Sequence, residues 1–363
     1  MKVQLKFKFY PTESIINDFL AFPKLYIGHE ADLGDSEYNQ FMDDEYLSFL
    51  KKAKEILMPY EKEIALFYPQ KNIDFYSFST YLPKANSFFG YDSIESYLDF
   101  LLTLDTYQIK KSIVKTLLKI QEQKEIDVSK LDSVLEHEQN IMSLIKEIPI
   151  DSAAKWDLYL MIEEPIKYRD QFIDLLYRLL PLFYKIYEPY KEKLISYGMY
   201  LEDYFNKHGK EGVAEISYSM FDPTIIEGDP KNFLVSFIES YTLAIAPVSE
   251  IRHFVWGLKL EKLFQGIKEQ NENKLNERVL IFKNLGDKTR YEVLKLIASG
   301  EYSIKKIATI LGVSSATIAY HFNALLTSKI IKLDKNNSRV CYTIDHDKLK
   351  EAMDGLLKDL EIS

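Results

Sequence analysis

The sequence is poor in cysteine, glycine and proline. Cys341 is the only cysteine in 363 residues, so an internal disulfide is impossible and no thiolate metal cluster can form within one chain. That usage fits a reducing compartment, and a cytoplasmic location is the expectation. Thirteen glycines and twelve prolines exclude collagen-like and Pro/Gly-rich disordered chains. No stretch approaches the roughly 20 apolar residues of a membrane span. The richest apolar run, 175–184, is interrupted by Arg178 and Pro181. Residues 1–10, MKVQLKFKFY, alternate polar and apolar and lack the apolar core of a signal peptide.

The N-terminal three quarters also lack the loops that common enzymes need. The nine glycines there are scattered, with no Gly-x-Gly-x-x-Gly, Gly-x-x-x-x-Gly-Lys-Ser/Thr or Gly-x-Ser-x-Gly. Without a phosphate cradle or a nucleophile elbow, the expectation is a protein that is not an enzyme and carries no cofactor. Carboxylates such as Glu163 and Glu164 fall on helical surface patterns.

What is present is ample core material. Hydrophobic residues make up 47% and charged residues 28% of the chain, including 26 Tyr and 22 Phe. Aromatics are core-forming by default. Their density at 76–89 and 233–256 also marks candidate walls of an effector pocket. The net charge of −9 argues against nucleic-acid binding only as an average. Residues 283–342 hold ten basic and four acidic side chains, a local +6, which leaves −15 on the remainder. A basic module on an acidic body suits a tethered DNA-binding domain.

Along the chain, 3–9 alternates as a strand, and most of the next 200 residues carry helical spacing. Segment 170–205 reads as one long helical stretch that Pro181 and Pro189 should kink or divide. Runs at 216–221, 233–238 and 242–246 fit either strands or buried helices. The polar tract 269–277 reads as a linker between a mostly helical domain at 1–268 and a second domain at 277–363. The expected fold class is mainly α with minor β.

The second domain carries the chemistry. A short helix at 277–285 ends at Gly286, and Asp287 caps a second helix that ends at Gly300. Ser303 caps a third, SIKKIATIL; Gly312 makes the turn, and Ser314 caps a fourth, SSATIAYHFNALLTSK. Ala308 is small enough for the two helices to cross closely, the layout of a helix-turn-helix. Two strands, 330–333 and 340–344, flank Asn336 and Asn337 as a hairpin or wing, and a last helix spans 347–360.

The run IATILGVSSATIAYHFNAL, followed by the wing and RVCYTI, resembles the ArsR-type winged-helix repressors. The resemblance rests on Leu311 through Ser314, on His321-Phe322, on Arg339 with Tyr342, and on a second helix reading LGDKTR. It implies that helix 314–327 enters the major groove of double-stranded DNA. Ser315, Ala316, Thr317, Ala319, Tyr320 and His321 would then face base edges, with His321 either a contact or a structural residue. Ser303, Lys305, Lys306, Ser314, Lys335, Asn336 and Arg339 would hold phosphates and shape the wing. The resemblance also implies a homodimer through Val279, Phe282, Leu349, Met353, Leu356 and Leu360. The alternative for these residues is packing on the protomer's own N-terminal domain.

The chain departs from that family in two ways. Its third helix lacks the cysteines through which many members sense metals, and Asp345, His346, Asp347 and Glu351 lack the second histidine of another metal site, so no metal is expected. It also carries some 270 extra N-terminal residues, as in larger ArsR-like bacterial regulators whose N-terminal region is uncharacterised. The combined expectation is a dimeric, sequence-specific repressor whose N-terminal domain oligomerises or senses a small-molecule effector. A winged helix used to dock a protein partner is the alternative.

Overall fold

The alternating stretch near the N-terminus forms a strand, β1 (Phe7–Phe9), with both phenylalanines buried and Lys8 exposed between them. The computed structural model describes residues 6–27, 39–68, 77–83, 86–122, 128–221, 231–245, 251–272, 274–336 and 339–361. The chain divides into two compact units, one of Met1–Gly212 with Ile226–Leu260 and one of Val213–Ile225 with Glu261–Ser363. The fold is mainly α with few strands, as expected. Among the described residues no helix is long and apolar enough to cross a membrane.

In the first unit, Pro11 ends β1 and also opens α1 (Pro11–Ala21), where its missing N–H costs nothing. There follow α2 (Lys24–Ile27), α3 (Asp44–Leu57), α4 (Glu61–Phe67), α5 (Phe78–Tyr81), α6 (Ile94–Thr103), α7 (Thr106–Glu122), α8 (Val128–Glu136), α9 (Glu138–Glu147) and α10 (Ser152–Glu163). Polar residues cap several of these. Asp43, Ser93 and Asp151 each accept the backbone N–H three residues on, which satisfies an otherwise orphaned donor.

The long helix α11 (Pro165–Ile216) corrects one expectation. It runs through both Pro181 and Pro189, and only Gly209, at φ 64° and ψ −139°, leaves helical geometry inside it. Both prolines lie on the exposed face. There the carbonyls they deprive of an amide partner can be hydrated, while Phe172, Leu176, Phe183, Leu194 and Leu201 stay buried on the other face. Burying that stripe outweighs two local losses.

The ambiguous runs at 233–238 and 242–246 contribute strands β2 (Lys231–Ser236) and β3 (Leu243–Ile245), a further strand β4 spans His253–Gly257, and 217–221 is a turn. The sheet order is β1-β2-β4-β3, with β1 and β4 parallel to β2 and β3 antiparallel to β4. All five residues of β4 are buried, which explains the absence of alternation in its sequence. The edge strand β1 is closed by α11. The Asn206 side chain accepts from Phe7 N at 2.8 Å and donates to Phe7 O at 3.0 Å, and Phe9 lies where a Cβ on Gly198 would be.

The rings expected either as core or as pocket walls fill the core. Phe78 packs edge-on against Phe172, Phe233 stacks on Phe254, and Trp256 meets Phe205. Tyr76 and residues 84, 85 and 246–250 lie outside the described residues.

Asp18 of α1 is the polar centre of this unit. It is fully buried and accepts from Tyr187 OH and Phe237 N, each at 2.8 Å, and from the Ser236 hydroxyl. Burial pushes its carboxyl up to about 7, against the pull of these donors. The folded chain therefore binds this proton more tightly than the unfolded chain, and stability falls as pH rises from 3.8 to about 7. At about 1.4 kcal/mol per unit, the loss is up to roughly 4 kcal/mol. Asp18→Asn keeps a carbonyl for Tyr187 and Phe237 and offers an N–H to Ser236. The variant should flatten this slope when urea midpoints are measured at several pH values; equal slopes in both proteins would refute the assignment.

Candidate nucleic-acid interface

The second unit contains α12 (Leu260–Glu272), α13 (Lys274–Leu285), α14 (Lys288–Ala298), α15 (Ile304–Leu311), α16 (Ser315–Thr327), β5 (Ile331–Asn336), β6 (Arg339–Ile344) and α17 (His346–Asp359). The polar tract expected as a linker is helical at 269–272 and 274–277, while Asn273 lies outside the described residues. Polar composition without glycine or proline is equally good helix surface.

Each boundary predicted from a cap is in place. Asp287 accepts from Arg290 N, Ser303 from Lys306 N and Ser314 from Thr317 N. Gly312 adopts the left-handed conformation at φ 67°, and Val313 N then reaches Ala308 O at 3.0 Å. These bonds end α15 and aim α16 across it. Ile307, Ala308, Ile318, Phe322 and Leu325 form the seam, joined by Val293 and Ile297 of α14, Ile330 and Ile331. The wing is antiparallel, with Ile331 opposite Ile344 and Asn336 opposite Arg339. Tyr342 packs edge-on against Phe322 at 4.5 Å and fastens the wing to α16.

The predicted contact residues fall in two groups. Ser314, Ser315 and Tyr320 are exposed, and Ala316, Thr317 and Ala319 half-buried, so the leading turns of α16 present a polar edge. Ser314 and Thr317 hydroxyls are 2.8 Å apart, which couples the cap to the first turn. Ser303 is half-buried, held by its N–H to Glu301 at 2.9 Å. Lys306 is exposed and pairs with Glu301 at 3.4 Å; Lys305 is half-buried, and burial pushes its ammonium pKa down. Lys335 and Asn336 end β5 and Arg339 starts β6, while Asn337 and Ser338 lie outside the described residues.

His321 belongs to the second group. It is 7% exposed, and its Nδ1 lies 3.4 Å from Arg290 Nε. Burial lowers the imidazole pKa; Asp287 opposes that shift and Arg290 adds to it. The guanidinium also reaches the Tyr320 hydroxyl at 3.4 Å and donates to Asn284 Oδ1. Sequence reading assigned Arg290 no role, although the Asp-x-x-Arg spacing that places it one turn after a cap was visible.

The flanking helices divide likewise. Val279, Met353 and Leu360 are exposed, Phe282 and Leu356 are half-buried, and Leu349 packs on the domain's own core. Leu275 and Leu357 extend the exposed set and escaped the sequence reading. Arg278 of α13 lies where a Cβ on Gly355 would be and pairs with Asp359 at 2.6 Å, clasping α17. Asp345 caps α17 and pairs with Lys332 at 3.3 Å.

Residues 287–332 match the family model described as bacterial regulatory protein, arsR family. An uncharacterized HTH-type transcriptional regulator of Methanocaldococcus jannaschii is 38% identical over 74 residues, 20% of this chain and 83% of that protein. The transcriptional repressor SdpR of Bacillus subtilis is 25% identical over 77 residues, 21% of this chain and 86% of that protein. No solved structure matches the chain. Through this C-terminal winged helix the chain belongs to the arsR family of bacterial regulatory proteins and is a DNA-binding transcriptional regulator.

Proposed function

We propose that the protein is a cytoplasmic, sequence-specific repressor that binds duplex DNA as a homodimer, acts by binding rather than catalysis, and is controlled through its N-terminal region. The observation that carries this reading is the exposed leading edge of α16, with Ser315, Thr317 and Tyr320 standing on a domain of local charge +6. Hydroxyls there can bond base edges, and Ala316 and Ala319 can meet thymine methyls. Lys306, Lys335 and Arg339 supply phosphate contacts, with Ser303, Lys305, Ser314 and Asn336 beside them. His321 contributes from behind the helix. Residues 277–363 carry DNA binding, and 1–268 carry oligomerisation or effector sensing.

Affinity for a duplex selected on the purified protein should fall steeply with added salt, because phosphate contacts release counterions. Thr317→Ala and Tyr320→Ala should each cost about 1–3 kcal/mol and blur the base preference in footprints. Wild-type footprints from both variants would remove α16 from the groove. A salt-insensitive complex with a protein, and no duplex retention, would favour the docking alternative.

The dimer has its own support. Leu275 and Val279 on α13 and Met353, Leu357 and Leu360 at α17 are large apolar side chains left exposed on two helices that pack together. Isolated exposed apolar residues are ordinary, but a shared cluster marks an association surface. Val279→Glu with Met353→Glu should convert the protein to monomers in sedimentation velocity and weaken duplex binding. An unchanged dimer, or a monomeric wild type at DNA-binding concentrations, would place the interface elsewhere or abolish it.

A further inference from the structure

Tyr320 is the largest side chain on the exposed edge of α16, at 42% exposure, and it does not stand alone. Behind it, Arg290 of α14 is 8% exposed, a buried cation that needs its donors occupied. The guanidinium spends them on three residues of two neighbouring helices. One Nη donates to Asn284 Oδ1 of α13, the other lies 3.4 Å from Tyr320 OH, and Nε lies 3.4 Å from His321 Nδ1. Its carbon also sits 5.5 Å from the centre of the Tyr320 ring. Asn284 is fully buried and anchored to Leu280 O at 2.9 Å, and Asp287 fixes the Arg290 backbone N–H at 2.8 Å. The fork is therefore held from two sides and presents its remaining donors to α16.

We propose that Arg290 is a positioning residue for DNA reading: its planar fork orients the Tyr320 ring and hydroxyl toward the groove, with neutral His321 as the acceptor that locks the fork in plane. The proposal rests on α16 being the groove-reading helix. Arg290 itself stays behind the helix and touches no base. Lysine cannot replace it, because one ammonium on a flexible stem cannot serve Asn284, His321 and Tyr320 in one plane. The His321 ring must accept at Nδ1 and so carries its proton on Nε2. A second proton would turn Nδ1 into a donor facing Arg290 and break the lock. The charged and titratable groups facing His321 are Asp287 and Arg290 of α14 and Tyr320 of its own helix; α13 adds the neutral Asn284 to the cluster.

The test uses the full-length protein, a duplex enriched from a random-sequence library on the wild type, and an unselected random duplex. Arg290→Lys should lower affinity for the enriched duplex about tenfold and leave the random duplex within about twofold, since the charge is kept. Tyr320→Phe should weaken the wild type and do nothing further in the Arg290→Lys background. Enriched-duplex affinity within twofold of wild type, or additive losses from the two substitutions, overturns the proposal. Thr317→Ala separates the two levels. If it loses base preference while Arg290→Lys does not, only the positioning role fails; if neither loses it, α16 is not the reading helix and both fail. Should Arg290→Lys not fold, pH decides. Preference for the enriched over the random duplex should fall as pH drops below 6.5, the ordinary histidine value, and His321→Asn, which accepts without titrating, should hold it level. A pH-independent wild type, or a variant that follows it, overturns the proposal.

Discussion

The winged helix depends on how closely α16 can sit on α15. Ala308 and Ile318 are buried at that crossing, and Gly312 supplies the left-handed residue that lets one helix stop and the next begin at Ser315, three residues later. A larger residue at 308 would push α16 outward, and its tilt relative to the wing would change with it. Because Phe322 also grips Tyr342 of β6, the same seating sets the wing. Helix and hairpin therefore move as one body, and a rigid body can hold base-edge and phosphate contacts in one register.

The parts legible in the sequence were those governed by local rules. Asp287, Ser303 and Ser314 sit at helix starts and Gly312 at a turn because these residues satisfy orphaned amides or tolerate positive φ, whatever surrounds them. The N-terminal unit is dominated by contacts that no window contains. Residue 7 pairs with 231 and residue 9 with 233, and the strand β2 that joins them to β4 has a central run, 233–235, that is apolar without alternation. A buried parallel strand and a buried helix look alike over six residues. The prolines of α11 misled for the complementary reason. A local rule against proline in helices was overridden by the stripe that the helix buries over many turns.

The candidate site was legible on its outer face only. Ser315, Thr317 and Tyr320 follow from helical phase once the cap is known. The inner partners do not, since Arg290 reaches α16 from α14, Asn284 holds Arg290 from α13, and the spacing of 31 residues between Arg290 and His321 carries no period. Burial is also hard to read for residues that combine apolar stems with polar tips. His321 carries the same sequence signal as an exposed contact, and the three-helix arrangement alone turns it inward. The same limit applies in the first unit, where Asp18 lies on α1 like any surface carboxylate until α11 and the end of β2 close over it.

The distribution of charge in the winged helix bears on how DNA would be held. Ten basic side chains lie within 283–342, but they are not ten equivalent phosphate ligands. Arg290 is buried and committed to neutral partners inside the domain. Lys306, Lys329 and Lys332 face carboxylates of Glu301, Glu277 and Asp345 at 3.3–3.8 Å. Glu277 is buried, but the Lys306 and Lys332 pairs are open to solvent and of a kind that contributes about 0–1 kcal/mol, so a phosphate can displace their carboxylates at little cost. Each exchange nevertheless leaves a carboxylate behind, near the incoming backbone. Fewer counterions should therefore be released than a count of bases implies. Part of the discrimination between duplexes then falls to hydroxyl and methyl contacts along the exposed edge of α16, where no arginine or glutamine is available to read guanine or adenine bidentately.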